Sequence, residues 1–355
     1  MDRRGKLAGI LRAAFMRRTV GAAMLVMAAL TLGGGVRAEA AESGVILMYH
    51  RFGEAELPST NIRLDQFEAH LAELRSGAYA VMALGDMVGA LRRGTALPDR
   101  AVAITIDDAF RSTYTEAWPR LRAAGLPFTV FVATDLVDQG NPNYMTWDQL
   151  REMAANGVSI GNHTDSHLRL QNATPAAAAA AIAASQARIR AELGIVPAIL
   201  AYPFGEASLA ARQLVIDGGF DAALGQHSGV AFAGADLYYL PRFSFNEEFA
   251  SMDRFRLAVN ALPLPVDQIT PADPLLAVNP PPFGFTLTED VANIGRLNCF
   301  ASHQSVPATI ERLGERRIEV RVDEPFLPGR GRFNCTVPAE DGRWRWFGFQ
   351  YYIRP

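Results

Sequence analysis

Lysine is almost missing from this chain: its 355 residues include one, Lys6. No P-loop phosphate lysine and no Schiff-base lysine can therefore operate in the body of the protein, which removes two large enzyme classes. Cysteine is scarce too. Cys299 and Cys335, both near the C-terminus, are too few for a structural zinc site and enough for one disulfide in an oxidising compartment. Long apolar runs are lacking: the longest, Val20 to Leu32, is too short for a helix to cross a ~30 Å hydrocarbon core. It follows Arg3, Arg4, Lys6, Arg12, Arg17 and Arg18 and precedes Val36-Arg37-Ala38, the layout of a secretory signal peptide over residues 1–38. Without that segment 27 Lys/Arg face 36 Asp/Glu, a formal charge of −9. The expectation is an exported chain, periplasmic or secreted, with no stable membrane insertion and no affinity for nucleic acid.

The whole chain is 49% hydrophobic and 20% charged, the composition of one or two globular cores. From residue 44 to 262 short β-rich runs alternate with helical ones, the signature of a parallel sheet covered by helices. Strands are predicted at Val45 to Tyr49, Ala101 to Ile106, Pro127 to Ala133, Val158 to Asn162, Ala198 to Tyr202 and Gly219 to Leu224. Helices are predicted from an Asp65 N-cap to Leu74, from Glu116 to Ala124, from the Thr146/Gln149 capping box to Ala155, and from Pro175 to Leu193. About seven such units in roughly 220 residues suit a barrel-like closure. Residues 263–282 carry seven prolines and read as an extended linker. Beyond them, 283–355 alternates apolar and polar residues in six short runs, which predicts a small C-terminal β-sandwich stapled between its sheets by the two cysteines. The aromatic run Trp344, Trp346, Phe347, Phe349, Tyr351, Tyr352 reads as sandwich core, with sugar stacking as the other use of such a strand.

Polar residues cluster just after the strands, where α/β folds place their sites. Asp107 and Asp108 follow the strand Ala101 to Ile106 directly. Adjacent carboxylates repel and need a cation, a shared proton or water; alone, the pair reads as a solvated turn or an N-cap. His163-Thr164-Asp165-Ser166-His167 changes that reading. Two His and one Asp arriving at strand ends form the ligand set of a catalytic divalent metal, most simply Zn2+, with positions left open for water. One aspartate can bind the ion while its neighbour stays free as a base toward that water.

These residues resemble the polysaccharide deacetylases with a NodB-homology domain, carbohydrate esterase family 4. The resemblance covers roughly Val45 to Phe243 and rests on Thr105-Ile106-Asp107-Asp108-Ala109 and on the intact His163-x-x-x-His167 motif. It implies an irregular (β/α) barrel, with Asp107 as catalytic base and Asp108, His163 and His167 as metal ligands. The family's third motif appears in part as Tyr202-Pro203-Phe204-Gly205, where the Phe204 backbone N–H would stabilise the oxyanion. Its arginine, which orients the base, is absent there; Arg242 is a candidate substitute, an ordinary surface arginine being the other reading. The late motifs are missing, but Leu47-Met48-Tyr49-His50 is similar to the general-acid strand of the poly-N-acetylglucosamine branch. His50 is thus a candidate acid, His227 its rival, and His70 a solvent-facing helix residue. Ala109 replaces the usual glycine, which requires that this turn avoid positive φ. The resemblance implies an exported metal-dependent hydrolase removing N-acetyl groups from an amino-sugar glycan; an O-acetyl esterase or a non-catalytic glycan binder are the alternatives.

Overall fold

The computed structural model describes residues 40–355; the expected signal peptide lies outside the described residues. The central element is a curled, largely parallel sheet. Its strands are β1 (Ser43–Tyr49), β2 (Ala80–Val81), β3 (Ala101–Ile106), β4 (Thr129–Val132), β5 (Ser159–Asn162), β6 (Ile199–Ala201), β7 (Ala222–Leu224), β8 (Ala231–Phe232) and β9 (Phe243–Ser244). They run in the order β7-β6-β5-β4-β3-β1-β8, with β9 also on β1 and β2 on β3. The pairing is parallel except for β8 on β1. Leu224, at the end of β7, bridges Leu240, three residues before β9 joins β1, so the two edges curl toward each other into a partly open barrel. Helices cover the outside, and β3 is buried along its whole length, as a parallel strand with both faces covered must be.

Most predicted elements appear within a residue or two. The capping box at Thr146 is formed, and the Pro175 helix runs to Leu193 with Gly194 left-handed behind it. One helix differs. It spans Leu64–Leu74 from an Arg63 N-cap, with Asp65 in its first turn.

His70, on that helix, is fully buried and not solvent-facing. Its ring lies 3.0 Å from the Tyr49 hydroxyl and 3.0 Å from the Ala250 carbonyl and stacks on Phe255. Burial, against the Ala250 hydrogen bond, lowers its pKa to about 4. A neutral buried histidine adds stability above the unfolded-state value near 6.5 that is lost as pH falls toward 4. At about 1.4 kcal/mol per pH unit, roughly 3 kcal/mol of stability should disappear across that window. Thermal unfolding of His70→Phe against pH, compared with the wild type, checks this: the variant's profile should be flatter between 6.5 and 4.

The C-terminal region forms two four-stranded sheets. Gly329–Pro338 and Trp344–Ile353 pair in one, with Asn298–Ala301 and Leu262–Pro263 at its edges; Phe283–Leu287 and Arg317–Arg321 form the centre of the other, between Val266–Thr270 and Thr309–Leu313. Phe283 of one sheet stacks on Phe333 of the other at 4.0 Å. The proline-rich stretch is only partly a tether, because each sheet takes an edge strand from it. Edge positions tolerate proline, whose missing N–H is not needed there. The disulfide forms, but between Asn298–Ala301 and Gly329–Pro338, neighbours in one sheet, where Cys299 stands opposite Cys335. It ties strands together and not sheets.

The last strand uses both faces, as side chains of period two require. Phe347, Phe349 and Tyr351 turn toward Phe283 in the sandwich core. The alternate residues meet the barrel: Trp346 packs edge-on against Phe243 at 5.2 Å, and the Tyr352 hydroxyl accepts from Asn172 at 2.8 Å. At Gly348 a Cβ would lie 2.0 Å from the Ser228 carbonyl oxygen, so only glycine lets the strand lie this close. Among the described residues no helix is long and apolar enough to cross a membrane.

Candidate active site

The site lies at the C-terminal ends of β3, β5 and β6. Asp107 directly follows strand β3; its side chain is fully buried, as is that of Arg242 beside it. Arg242 grips the carboxylate with both arms, Nη1 to Oδ1 and Nη2 to Oδ2 at 2.7 Å each. It is itself held by the Gly225 carbonyl at 2.8 Å and the Thr105 hydroxyl at 3.1 Å. Arg242 is therefore not a surface residue: it reaches Asp107 from just before β9. Burial pushes the Asp107 pKa up, but the Arg242 guanidinium together with His163 and His50 more than offsets this and leaves it below the ordinary range, so the carboxylate is ionised at neutral pH.

Beyond Asp107 the chain turns sharply, with Asp108 at φ 72° and Ala109 at φ 56°. The alanine thus occupies the left-handed conformation that its presence was expected to exclude. The turn keeps the shape a glycine would give it, at a cost on the order of 1–2 kcal/mol for an L-residue. Ala109 is fully buried, and its carbonyl accepts from the Met145 N–H at 2.9 Å, which holds the strained turn.

His163 directly follows β5, and Thr164 and His167 both adopt positive φ, 64° and 56°. Thr164 N–H donates to the Asn162 side chain at 2.8 Å, and the Thr164 hydroxyl accepts from Leu168 N–H at 3.2 Å. This tight turn, and not a helix, brings the two imidazoles to 4.9 Å between centroids. Asp108 Oδ1 lies 3.2 Å from His163 Nε2 and 3.3 Å from His167 Nε2. His163 Nδ1 is 2.7 Å from the Ala201 carbonyl, so the proton belongs on Nδ1 and the Nε2 lone pair faces the aspartate.

Burial lowers the pKa of His163, but the adjacent Asp108 carboxylate, with Asp107 and the Ala201 carbonyl, overrides it and the net direction is up; in His167 burial prevails and the pKa falls to about 4. Asp108 is held well below the carboxylate range, the imidazoles outweighing its desolvation. Asp108 Oδ1 and His163 Nε2 are buried without a hydrogen-bond partner. Buried polar atoms are rarely left so. Three ligand atoms within 4.8 Å of one another, two of them orphaned and all aimed at one point, fit a divalent cation.

His50, at the end of β1, brings Nε2 to 3.9 Å from Asp107 Oδ2 with 13% of its side chain exposed. Burial lowers its pKa against the pull of Asp108 and Asp107. His227 is elsewhere. It lies against Tyr239 at 4.4 Å and near Phe349, and burial, with the cations Arg332 and Arg242, lowers its pKa to about 3. Aromatic packing holds it neutral, apart from the carboxylates.

Phe204 follows β6 at φ 61°. Its ring meets the edge of His167 at 4.4 Å and carries the Arg169 guanidinium 3.8 Å from its centroid. Arg169 in turn is paired with buried Glu206. Neither Arg169 nor its partner belongs to a motif, and no signal in the sequence marks them.

Residues 94–223 match the sequence profile of the family described as polysaccharide deacetylase, and the Asp-His-His cluster falls within that span. The chain contains a polysaccharide deacetylase domain. Sequence relatives agree: the chain is 27% identical over 197 residues to YxkH of Bacillus subtilis, assigned as a polysaccharide deacetylase, an alignment spanning 56% of this chain and 69% of that one. It is also 27% identical over 225 residues to the poly-β-1,6-N-acetyl-D-glucosamine N-deacetylase of Escherichia coli K12, across 51% of this chain but only 33% of the relative. The deacetylase PplD of Streptococcus pyogenes, solved with acetate, superposes with a TM-score of 0.57 at 23% identity, over 61% of this chain and 98% of PplD. IcaB of Ammonifex degensii gives 0.55 at 24% identity, over 62% and 97%. These likenesses cover the barrel fold. With the ligand triad, the deacetylase domain is that of a hydrolase.

Proposed function

We propose that this protein is an exported N-deacetylase of an acetylated amino-sugar polymer, of chitooligosaccharide or poly-N-acetylglucosamine type. The observation that carries this reading is an ionised, fully buried Asp107 next in sequence to the ligand Asp108 but paired with Arg242 instead. A protein that only binds glycan has no use for a free base there. The Escherichia coli relative supports an amino-sugar substrate, and the charged N-terminal segment with its short apolar run supports export.

A divalent ion held by Asp108, His163 and His167, zinc by the chemistry of this donor set, would supply the Lewis acidity that makes water nucleophilic and polarises the acetamide carbonyl. Asp107, kept ionised by Arg242, accepts the proton of the attacking water. The Phe204 N–H donates to the oxygen that becomes negative. Burial lowers the pKa of His50, whose Nε2 stands 3.9 Å from Asp107; His50 acts as general acid toward the departing nitrogen, which ends with the proton taken from the water. The C–N bond breaks, and acetate and a free amine leave.

The test combines elemental analysis with acetate release from N-acetylglucosamine oligomers and from acetylated xylan. One divalent ion per chain and release from the oligomers are expected. Dialysis against a chelator should reduce release to background, with recovery on return of the ion, and Asp108→Ala should lose the ion. Release from xylan alone would make the enzyme an O-acetyl esterase; binding without release would leave a glycan-binding protein.

A further inference from the structure

Phe204 and Gly205 are consecutive residues at φ 61° and 66°. A side chain at position 205 is excluded outright, since its Cβ would lie 2.3 Å from the Gln226 nitrogen, whereas Phe204 holds the same conformation with its side chain in place. Backbone in this region persists only where its surroundings fix it. Here much of what fixes it comes from the C-terminal sandwich. Gln350, on the barrel-facing side of the last strand and 1% exposed, donates from Nε2 to the carbonyls of both Phe204, at 3.2 Å, and Gly205, at 2.9 Å. Its Oε1 accepts from Arg332 at 2.8 Å, so the amide can point only one way. The Tyr239 hydroxyl lies 3.1 Å from the Gly205 carbonyl and 3.1 Å from that of Gln350, clamping loop and strand together.

We propose that Gln350 is a positioning residue of the deacetylase: through it the sandwich holds the 202–205 loop so that the Phe204 N–H stays aimed at the reacting oxygen. The C-terminal module is in this sense part of the active site. Its aromatic strand supports the loop from one face while packing the sandwich with the other. The inference rests on the reading of Phe204 as oxyanion donor given above.

The deciding variant is Gln350→Met, which keeps length and bulk and removes both donors. Tyr239→Phe, which loses only the hydroxyl, is the milder second variant should the first fold poorly. In the full chain, kcat for acetate release should fall about tenfold to a hundredfold, short of the ~10²–10³ lost when an oxyanion donor is removed outright. KM should stay within about a factor of two, as for an interaction made only in the transition state. Amide hydrogen exchange in peptides covering 202–206 should accelerate while the metal content and the protection of β3 and β5 hold. Unchanged exchange with unchanged kcat would overturn the brace and leave the Phe204 role standing. Faster exchange with unchanged kcat would overturn both. Protection lost throughout the barrel, with kcat and KM both affected, would make Gln350 a fold residue and also overturn the proposal.

Discussion

Asp107→Asn should lower kcat for acetate release by about 10²–10⁴, the range over which a positioned general base acts, while the chain keeps its metal. The two expectations separate because Asp108, His163 and His167 form the ligand cluster without Asp107. Asparagine fills the same space and still accepts a hydrogen bond from Arg242, but it leaves that buried guanidinium without its counter-charge. Thermal stability should therefore fall as well, by up to about 3 kcal/mol on the scale of a broken buried pair. Kinetics and calorimetry on one preparation distinguish the effects: a folded, metal-loaded variant with wild-type turnover would remove Asp107 from the chemistry.

Arg242→Met should damage both stability and the pH profile, for one electrostatic reason. In the wild type the guanidinium, aided by His163 and His50, outweighs the desolvation of Asp107 and holds its pKa below the ordinary range. That carboxylate adds stability above its unfolded pKa near 3.9, lost only as pH falls through the lower folded value. Without the arginine, desolvation acts unopposed by its largest partner and the pKa rises. Asp107 then opposes folding increasingly as pH climbs past 3.9, and the cost of the orphaned buried charge is on the order of 3–5 kcal/mol. The same shift protonates the base, so the acid limb of the kcat profile should move to higher pH, with activity depressed at neutrality and partly regained in alkali. A purely structural arginine would lower activity equally at all pH values.

The sequence alone located the chemistry. Asp107-Asp108 and His163-x-x-x-His167 are local patterns, and strand β3 with the turn after β5 are set by local hydrophobicity and turn residues, so ligand identity was legible before any contact was known. Alternation likewise marked the sandwich strands. What is encoded by distance was not legible. Arg242 lies far along the chain from Asp107, and only curling of the sheet, with β9 against β1, brings them into contact. His50 and His227 look alike as candidate acids in the sequence; the fold buries His227 against Tyr239, while β1 running beside β3 brings His50 to the side of Asp107. Ala109 breaks the local rule for its turn, and the fold imposes the left-handed conformation regardless. The strand from Trp344 to Ile353 reads as core because period two records only that its faces differ. What each face touches, Phe283 on one side and the loop at Phe204 on the other, is decided by how the sandwich docks on the barrel, which no local pattern carries.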